Sequence, residues 1–468
     1  MRNTSKNFLL NIVYQLFTFI IPLITIPYIS RILGVEKIGI YSYTYSIVYY
    51  FILAAMLGIN NYGSREIAKT TNNKSLMSKK FLEIYYLQLI MSLIMIILYS
   101  SIVLLFDFKY KSIMFIQGIY LISCAFDINW LFFGLERFKI TISRNIIIKI
   151  ISLFLIFILI KSPDDLYLYT FIMASATLIS QLYLWIYVKK IIEYKKVKIK
   201  GVFSHFRQCL VLFIPVVAYS IYRVMDKTMI GLLSSVVELG FYENAEKIIN
   251  IPMALVTALG TVMMPHMSKI NDKEFENNIV YSFKLCFFLL FPISIGLLIV
   301  ANDFSITFFG ESFSKSAIII RALIATIIFG GITNIIRTNY LIPKSKDKIY
   351  VTSTILGAII NLVLNLIFIY RLGSLGACIG TVVTEFVIMI YQVINTKNNI
   401  NYKNIARELL PFLYRTLIMG ALIIIVGFFI DNSIIKLICQ IITGVMIYFA
   451  LNYKYILFDF LGKINKNE

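Results

Sequence analysis

Charge is scarce in this sequence. Asp, Glu, Lys and Arg make up 15% of its 468 residues, against about 25% in soluble domains. A water-facing surface for a chain of this length cannot be assembled from so few, which excludes a soluble globular protein. Histidine is scarcer still. His205 and His266 are the only two, and neither stands at a metal-ligand or nucleophile spacing, so both read as solvated or interfacial groups. The five cysteines, Cys124, Cys209, Cys286, Cys378 and Cys439, lie in or beside apolar runs with no metal spacing, and read as small buried hydrophobes. A Walker-type glycine loop is missing, so ATP is not the evident power source. Paired carboxylates outside the apolar runs are missing too, which argues against glycosyl chemistry.

Apolar residues fill the space instead. They are 59% of the chain, and the mean hydropathy is +0.83. The runs extend along the whole sequence, more than a signal peptide or single anchor accounts for. A spanning helix needs about 20 apolar residues. On that criterion spans fall at 8–30, 38–62, 81–105, 112–134, 141–161, 166–188, 208–232, 245–268, 279–301, 316–340, 349–370, 375–395, 409–430 and 434–456. The expected fold is all-α and integral to the membrane, with about fourteen transmembrane helices. The two weakest spans are 245–268, which opens on Glu246 and Lys247, and 316–340, which holds Arg321 and two adjacent glycines.

A net charge of +20 would suggest nucleic acid in a soluble protein. Here Lys and Arg sit in short loops between apolar runs, so nucleic acid is not an expected partner. With the N-terminus in the cytoplasm, the inside loops carry about 29 basic residues and the outside loops about 8, the asymmetry of positive-inside sorting. Both termini are then cytoplasmic. The longest connection, 189–207, holds Lys189, Lys190, Lys195, Lys196, Lys198, Lys200 and Arg207. No loop is long enough for an extramembrane domain.

The chain repeats itself. Ile38-Gly39-Ile40-Tyr41 follows the first span and Leu239-Gly240-Phe241-Tyr242 follows the seventh, with the two glycines 201 residues apart. The same offset carries the third span onto the ninth. Two six-helix lobes and a C-terminal helix pair are expected, with an N-terminal lobe 1–190, a basic linker 191–207, a second lobe 208–397 and the pair in 398–468. Six is even, so the lobes are parallel repeats, able to rock about a central cavity.

Ionisable residues at membrane depth cost at least about 2.5–3.5 kcal/mol each, so each needs a reason. The richest site is Tyr222-Arg223-Val224-Met225-Asp226-Lys227. Two readings fit it. One is a self-neutralising cluster near the outer interface, with long side chains snorkelling to water. The other is a cationic wall of a hydrated cavity, with Asp226 as an ion-pair partner or coupling-ion site. Lys149, Lys284, Arg321, Arg415, Asp127 and Glu385 also fall within spans, and Arg31 ends the first. The surplus of cations suits an anionic substrate such as a diphosphate headgroup. Pro22 and Pro27 in span one and Pro215 in span seven are candidate hinges.

The opening run from Asn11 to Gly34, with its Ile-Pro-Leu-Ile-Thr-Ile-Pro-Tyr-Ile-Ser-Arg core, resembles the N-terminus of bacterial polysaccharide repeat-unit flippases. These are the O-antigen and capsule flippases of the multidrug/oligosaccharidyl-lipid/polysaccharide exporter superfamily. Gly58-Ile59-Asn60-Asn61-Tyr62-Gly63-Ser64-Arg65-Glu66, Gly134-Leu135-Glu136-Arg137-Phe138-Lys139 and Asp226-Lys227 with Met229-Ile230-Gly231 resemble the family as well. The resemblance implies a transporter rather than an enzyme, resident in the bacterial cytoplasmic membrane. It would move an undecaprenyl-diphosphate-linked oligosaccharide between leaflets by alternating access, coupled to Na+ or H+ and without a cofactor. Membrane lipids and the polysaccharide polymerase and assembly machinery are the implied partners. By position in these motifs, Arg31, Arg65, Arg223 and Lys227 are candidates for headgroup contact and Asp226 for ion contact; Lys149, Lys284 and Arg321 join them as cavity candidates. A lipid-linked peptidoglycan-precursor or teichuronic-acid flippase is the nearest alternative, and a membrane polysaccharide polymerase a more distant one.

Overall fold

The computed structural model describes residues 2–455. Among these, every regular element is a helix. The first part of the chain forms α1 (Arg2–Met56), α2 (Ile59–Thr70), α3 (Lys74–Leu105), α4 (Lys111–Ala125), α5 (Asn129–Gly134), α6 (Phe138–Leu159), α7 (Leu166–Ile191), α8 (Ile199–Ser204) and α9 (Phe206–Leu233). Then follow α10 (Val236–Met267), α11 (Asp272–Phe309), α12 (Ser316–Ile336), α13 (Asp347–Leu372), α14 (Ser374–Thr396), α15 (Tyr402–Phe428) and α16 (Ser433–Leu451). Among the described residues, twelve stretches are long and apolar enough to cross a membrane. One of them, Ile21–Thr70, holds the second expected span and the end of the first, and α9, which carries a run as apolar, stands beside the twelve. Counted separately, these give the fourteen helices expected.

The apolar side chains show what solvent the protein is built for. Leu105, Ile158, Ile186 and Phe428 are 82%, 65%, 66% and 81% exposed. Soluble monomers rarely leave such a continuous apolar coat to water; lipid is the solvent that removes the penalty. The chain is a multi-pass membrane protein.

Two expected boundaries differ from the structure. The break between the first two expected spans is narrower than 31–37. Two helical limbs of α1 meet at a kink at Gly34, whose φ of +75° is left-handed and open to glycine without steric penalty. A Cβ there would touch nothing, so torsion and not space requires the glycine. The expected span 112–134 is broken at Phe126–Ile128 into α4 and the short α5. Asparagine opens several helices. Asn73, Asn271, Asn401 and Asn432 each accept backbone N–H groups at the starts of α3, α11, α15 and α16, which satisfies donors that the helix cannot.

The chain divides into two compact units on either side of the Gly240–Phe241 bond, and α9 belongs to the first. In that unit α4 packs on α1, α3 and α7, and the second limb of α1 packs on α9. In the second unit α13 and α14 form the tightest pair. Gly376 lets α14 approach the carbonyl of Phe368, and Gly357 seats the Ile388 side chain, the small-residue contact that lets membrane helices come close. α15 and α16 pack on α11, joined by ion pairs from Lys284 to Glu408 (3.0 Å) and Lys436 to Asp303 (2.9 Å).

Candidate functional site

The second limb of α1 reads Tyr41-Ser42-Tyr43-Thr44-Tyr45, then Tyr49-Tyr50. Tyr41, Tyr45 and Tyr49 recur every four residues and so share one helix face. Their rings follow one another at 6.1 Å, and Tyr120 of α4 meets Tyr45 edge-on at 5.2 Å. The Tyr41 and Tyr120 hydroxyls lie 2.9 Å apart. Tyr50 points to the other side, where its hydroxyl lies 3.1 Å from that of Thr228 on α9. Thr228 donates in turn to Ser46 at 2.9 Å.

The tyrosine face opens onto a cavity of about 440 Å³ inside the first unit, lined also by Asn60, Asn61, Asp127 and Gln181. A polar network stands behind it. Asp127 Oδ1 accepts from the backbone and side-chain N–H groups of Asn129 at 3.0 and 2.7 Å. Asn129 donates to Gln181 Oε1 at 3.2 Å. The buried Arg144 of α6 donates to Asn129 at 3.0 Å, Asn145 at 2.8 Å and Gln181 at 3.4 Å. The Asp127 carboxylate is thus linked to the Arg144 guanidinium through Asn129, which hydrogen-bonds to both.

Of the charged residues singled out in the sequence, Asp127 lines this cavity, and the others lie elsewhere. Asp226 is 3% exposed and within electrostatic reach of Tyr50. Lys227 is half-buried and Arg223 exposed, so α9 holds its carboxylate inward and a cation outward. Arg31 is exposed on α1, just before the Gly34 kink. Arg65 is exposed on α2, stacked over Tyr62 at 5.8 Å and 4.0 Å from Glu66. Lys149 is half-buried on α6. In the second unit, Lys284 is committed to Glu408. Arg321 is exposed and donates to the Leu298 carbonyl at 3.2 Å, an interfacial placement rather than a buried one. The Pro215 side chain lies outside the described residues. The structure also shows a polar strip that the sequence reading missed, on α13 and α14. There Asn365 donates to Asn361 Oδ1 at 3.1 Å, and Asn361 Nδ2 and Thr384 Oγ1 are buried without a described partner.

His205 corrects an expectation. It is not solvated but 2% exposed. Its Nδ1 lies 2.6 Å from the Tyr62 hydroxyl and its Nε2 3.2 Å from Glu83 Oε2. Burial holds the imidazole below its ordinary pKa, and the hydrogen bond to Glu83 opposes that shift. The motif that contains Tyr62 is a packing device. Gly63 admits the Trp130 ring of α5, and Gly134 lies against the Ser64 carbonyl and Ile67. α2 and α5 are therefore locked together at the base of the cavity.

The two glycine–tyrosine linkers meet. A Cβ on Gly39 would collide with the carbonyl oxygen of Val236, and one on Gly240 with that of Val35. Val35 and Val236 are separated by the same 201 residues as the glycines, so each copy presents to the other the surface it receives. Reciprocal contacts of this kind are what a two-fold relation between equivalent segments produces.

Helices in this order, with this lipid-facing coat, define a polytopic membrane protein. The structure resembles an inward closed lipid II flippase MurJ, with a TM-score of 0.76 at 19% identity, covering 97% of this chain and 99% of that one. It also resembles an inward-facing MATE transporter of the MOP superfamily, with a TM-score of 0.54 at 15% identity over 81% and 98%. The profile of the polysaccharide biosynthesis protein family matches residues 4–271, more than half of the sequence, and the chain belongs to that family. A relative named putative O-antigen transporter from Shigella dysenteriae is 25% identical over 83% of this chain and 99% of its own. Another of that name from Escherichia coli (strain K12) is 22% identical over 85% and 99%.

Proposed function

We propose that the protein is a flippase that carries an undecaprenyl-diphosphate-linked oligosaccharide repeat unit across the bacterial cytoplasmic membrane for surface polysaccharide synthesis, O-antigen or capsule. The observation that carries this is the match, nearly end to end, to two relatives named O-antigen transporters, within a family of polysaccharide biosynthesis proteins. The names of these relatives support a transporter rather than an enzyme. In the second unit α11, α15 and α16 enclose a groove of about 350 Å³ with an almost wholly apolar lining, including Phe288, Pro292, Gly296 and Gly444. It suits a prenyl tail.

In this reading two six-helix lobes, 1–190 and 208–397, alternate access about a central cavity. Arg31, Arg65, Arg223, Lys227 and Lys149 meet the anionic headgroup, and Asp226 serves Na+ or H+ coupling. A lipid-linked peptidoglycan-precursor flippase is the second reading, and the fold likeness to MurJ favours it. Deletion in the host separates the two. Undecaprenyl-diphosphate repeat units should accumulate on the cytoplasmic leaflet while surface polysaccharide disappears. Accumulation of a lipid-linked peptidoglycan precursor with surface polysaccharide intact would favour the second reading, and repeat units that reach the outer leaflet unpolymerised would point to a polymerase. Arg223→Ala and Lys227→Ala should lower complementation of the deletion with protein levels in the membrane unchanged; full complementation by both removes them from the headgroup site.

A further inference from the structure

The charged residues of that reading do not line the cavity of the first unit, which therefore needs an occupant of different chemistry. Its volume, about 440 Å³, lies in the range of roughly 300–1,000 Å³ typical of small-molecule pockets. None of its described lining residues is Lys or Arg, and Asp127 is among them. A diphosphate would meet a carboxylate there with no facing cation. A prenyl tail would strand the amides of Asn60, Asn61 and Gln181 away from water, which is unfavourable for each. The remaining class is a neutral molecule with many hydroxyls and apolar ring faces.

We propose that this cavity is a saccharide pocket that receives glycan from the substrate. The proposal rests on the reading above that the substrate is a lipid-linked oligosaccharide. A pyranose presents a C–H face and a rim of hydroxyls that both donate and accept. Tyr45 and Tyr49 offer ring faces in series on one wall, with Tyr120 beside them. The primary amides each donate and accept. Asp127 keeps Oδ1 for Asn129 and leaves Oδ2 without a described partner, an acceptor for a sugar hydroxyl. Arg144 holds this carboxylate in place from behind, through Asn129 and Gln181. Asn60 and Asn61 are exposed at the start of α2, where the left-handed Gly58 turns the chain back against α9. They read the glycan, while charged groups elsewhere hold the diphosphate.

The test compares two probes on the full-length protein in nanodiscs: the lipid-linked oligosaccharide extracted from the deletion host, and undecaprenyl diphosphate without glycan. Wild type should prefer the glycan-bearing lipid. Asn60→Ala with Asn61→Ala should reduce that preference by about tenfold, the size of one or two lost hydrogen bonds, and leave the undecaprenyl diphosphate affinity unchanged. These side chains are exposed, so the fold tolerates their loss. Tyr49→Leu, checked by melting temperature, removes a ring from the opposite wall and should act in the same direction. A wild-type preference that survives in both variants overturns the pocket and leaves the flippase reading standing. Equal wild-type affinity for the two lipids also overturns the pocket. Binding of neither lipid by wild type overturns the flippase reading itself.

Discussion

At the scale of single residues, His205 is the most informative. It joins the start of α9 to α2 through Tyr62 and to α3 through Glu83, and all three residues are buried. Removing one partner leaves the others unsatisfied, at about 1–3 kcal/mol for each stranded group. His205→Ala should therefore lower the melting temperature of the detergent-solubilised protein, and a wild-type melt would show that the contacts carry no weight. The same residue sets a pH dependence. Burial depresses its pKa in the folded chain, so the neutral imidazole is the form the fold accepts. Its contribution is fully present above the unfolded value of about 6.5 and is lost as pH falls through the lower folded value. The groups facing it are Glu83, Glu66 and Lys80, with Tyr62 on the other ring nitrogen. Melting between pH 8 and pH 5 should show a loss in wild type that His205→Ala lacks. Parallel curves would assign the acid sensitivity to the carboxylates.

At the scale of elements, the reciprocal glycine contact makes a sharper claim than the sequence repeat alone. Gly39→Ala and Gly240→Ala each drive a methyl group into a backbone carbonyl, which has no rotamer to yield. Overpacking of this kind costs about 1–3 kcal/mol. Both substitutions pry apart the same pair of segments, so the double variant should lose little more than the worse single one. Melting temperatures of the two singles and the double decide this, and full additivity would mean that the contacts are independent. The repeat was legible because a glycine, its spacing and a neighbouring tyrosine recur together. The number of helices was legible because lipid demands long apolar runs. The exact place of the first break was not, since the charges of Arg31, Glu36 and Lys37 mark a longer loop than the single non-helical Gly34 that joins the two limbs of α1. His205 looked solvated because its partners lie 122 and 143 residues away. The cavity stayed hidden for the same reason: Asn129, Arg144 and Gln181 converge only once α5, α6 and α7 are packed. The tyrosine series was visible at four-residue intervals, but abundant tyrosine disguised it as ordinary packing.

For the whole molecule, orientation is the property on which the direction of transport depends. Positive-inside sorting predicts the linker 191–207 and both termini in the cytoplasm, and the turn before α7 outside. The structure supplies exposed positions to test this, Lys196 in the linker and Asp164 in the turn. Four of the five native cysteines are buried and Cys439 is half-buried, so their replacement by Ser or Ala leaves a background on which single cysteines report. A membrane-impermeant maleimide applied to intact cells should label Asp164→Cys and spare Lys196→Cys until the membrane is opened. Inverted labelling would place the lysine-rich linker outside. The substrate would then be loaded on the side where no activated sugar donors are made, and export of a lipid-linked glycan would fail on topology alone. Labelling at both positions in intact cells would mean that one of the six helices before the linker does not cross, and the even count that makes the two lobes parallel would fall with it.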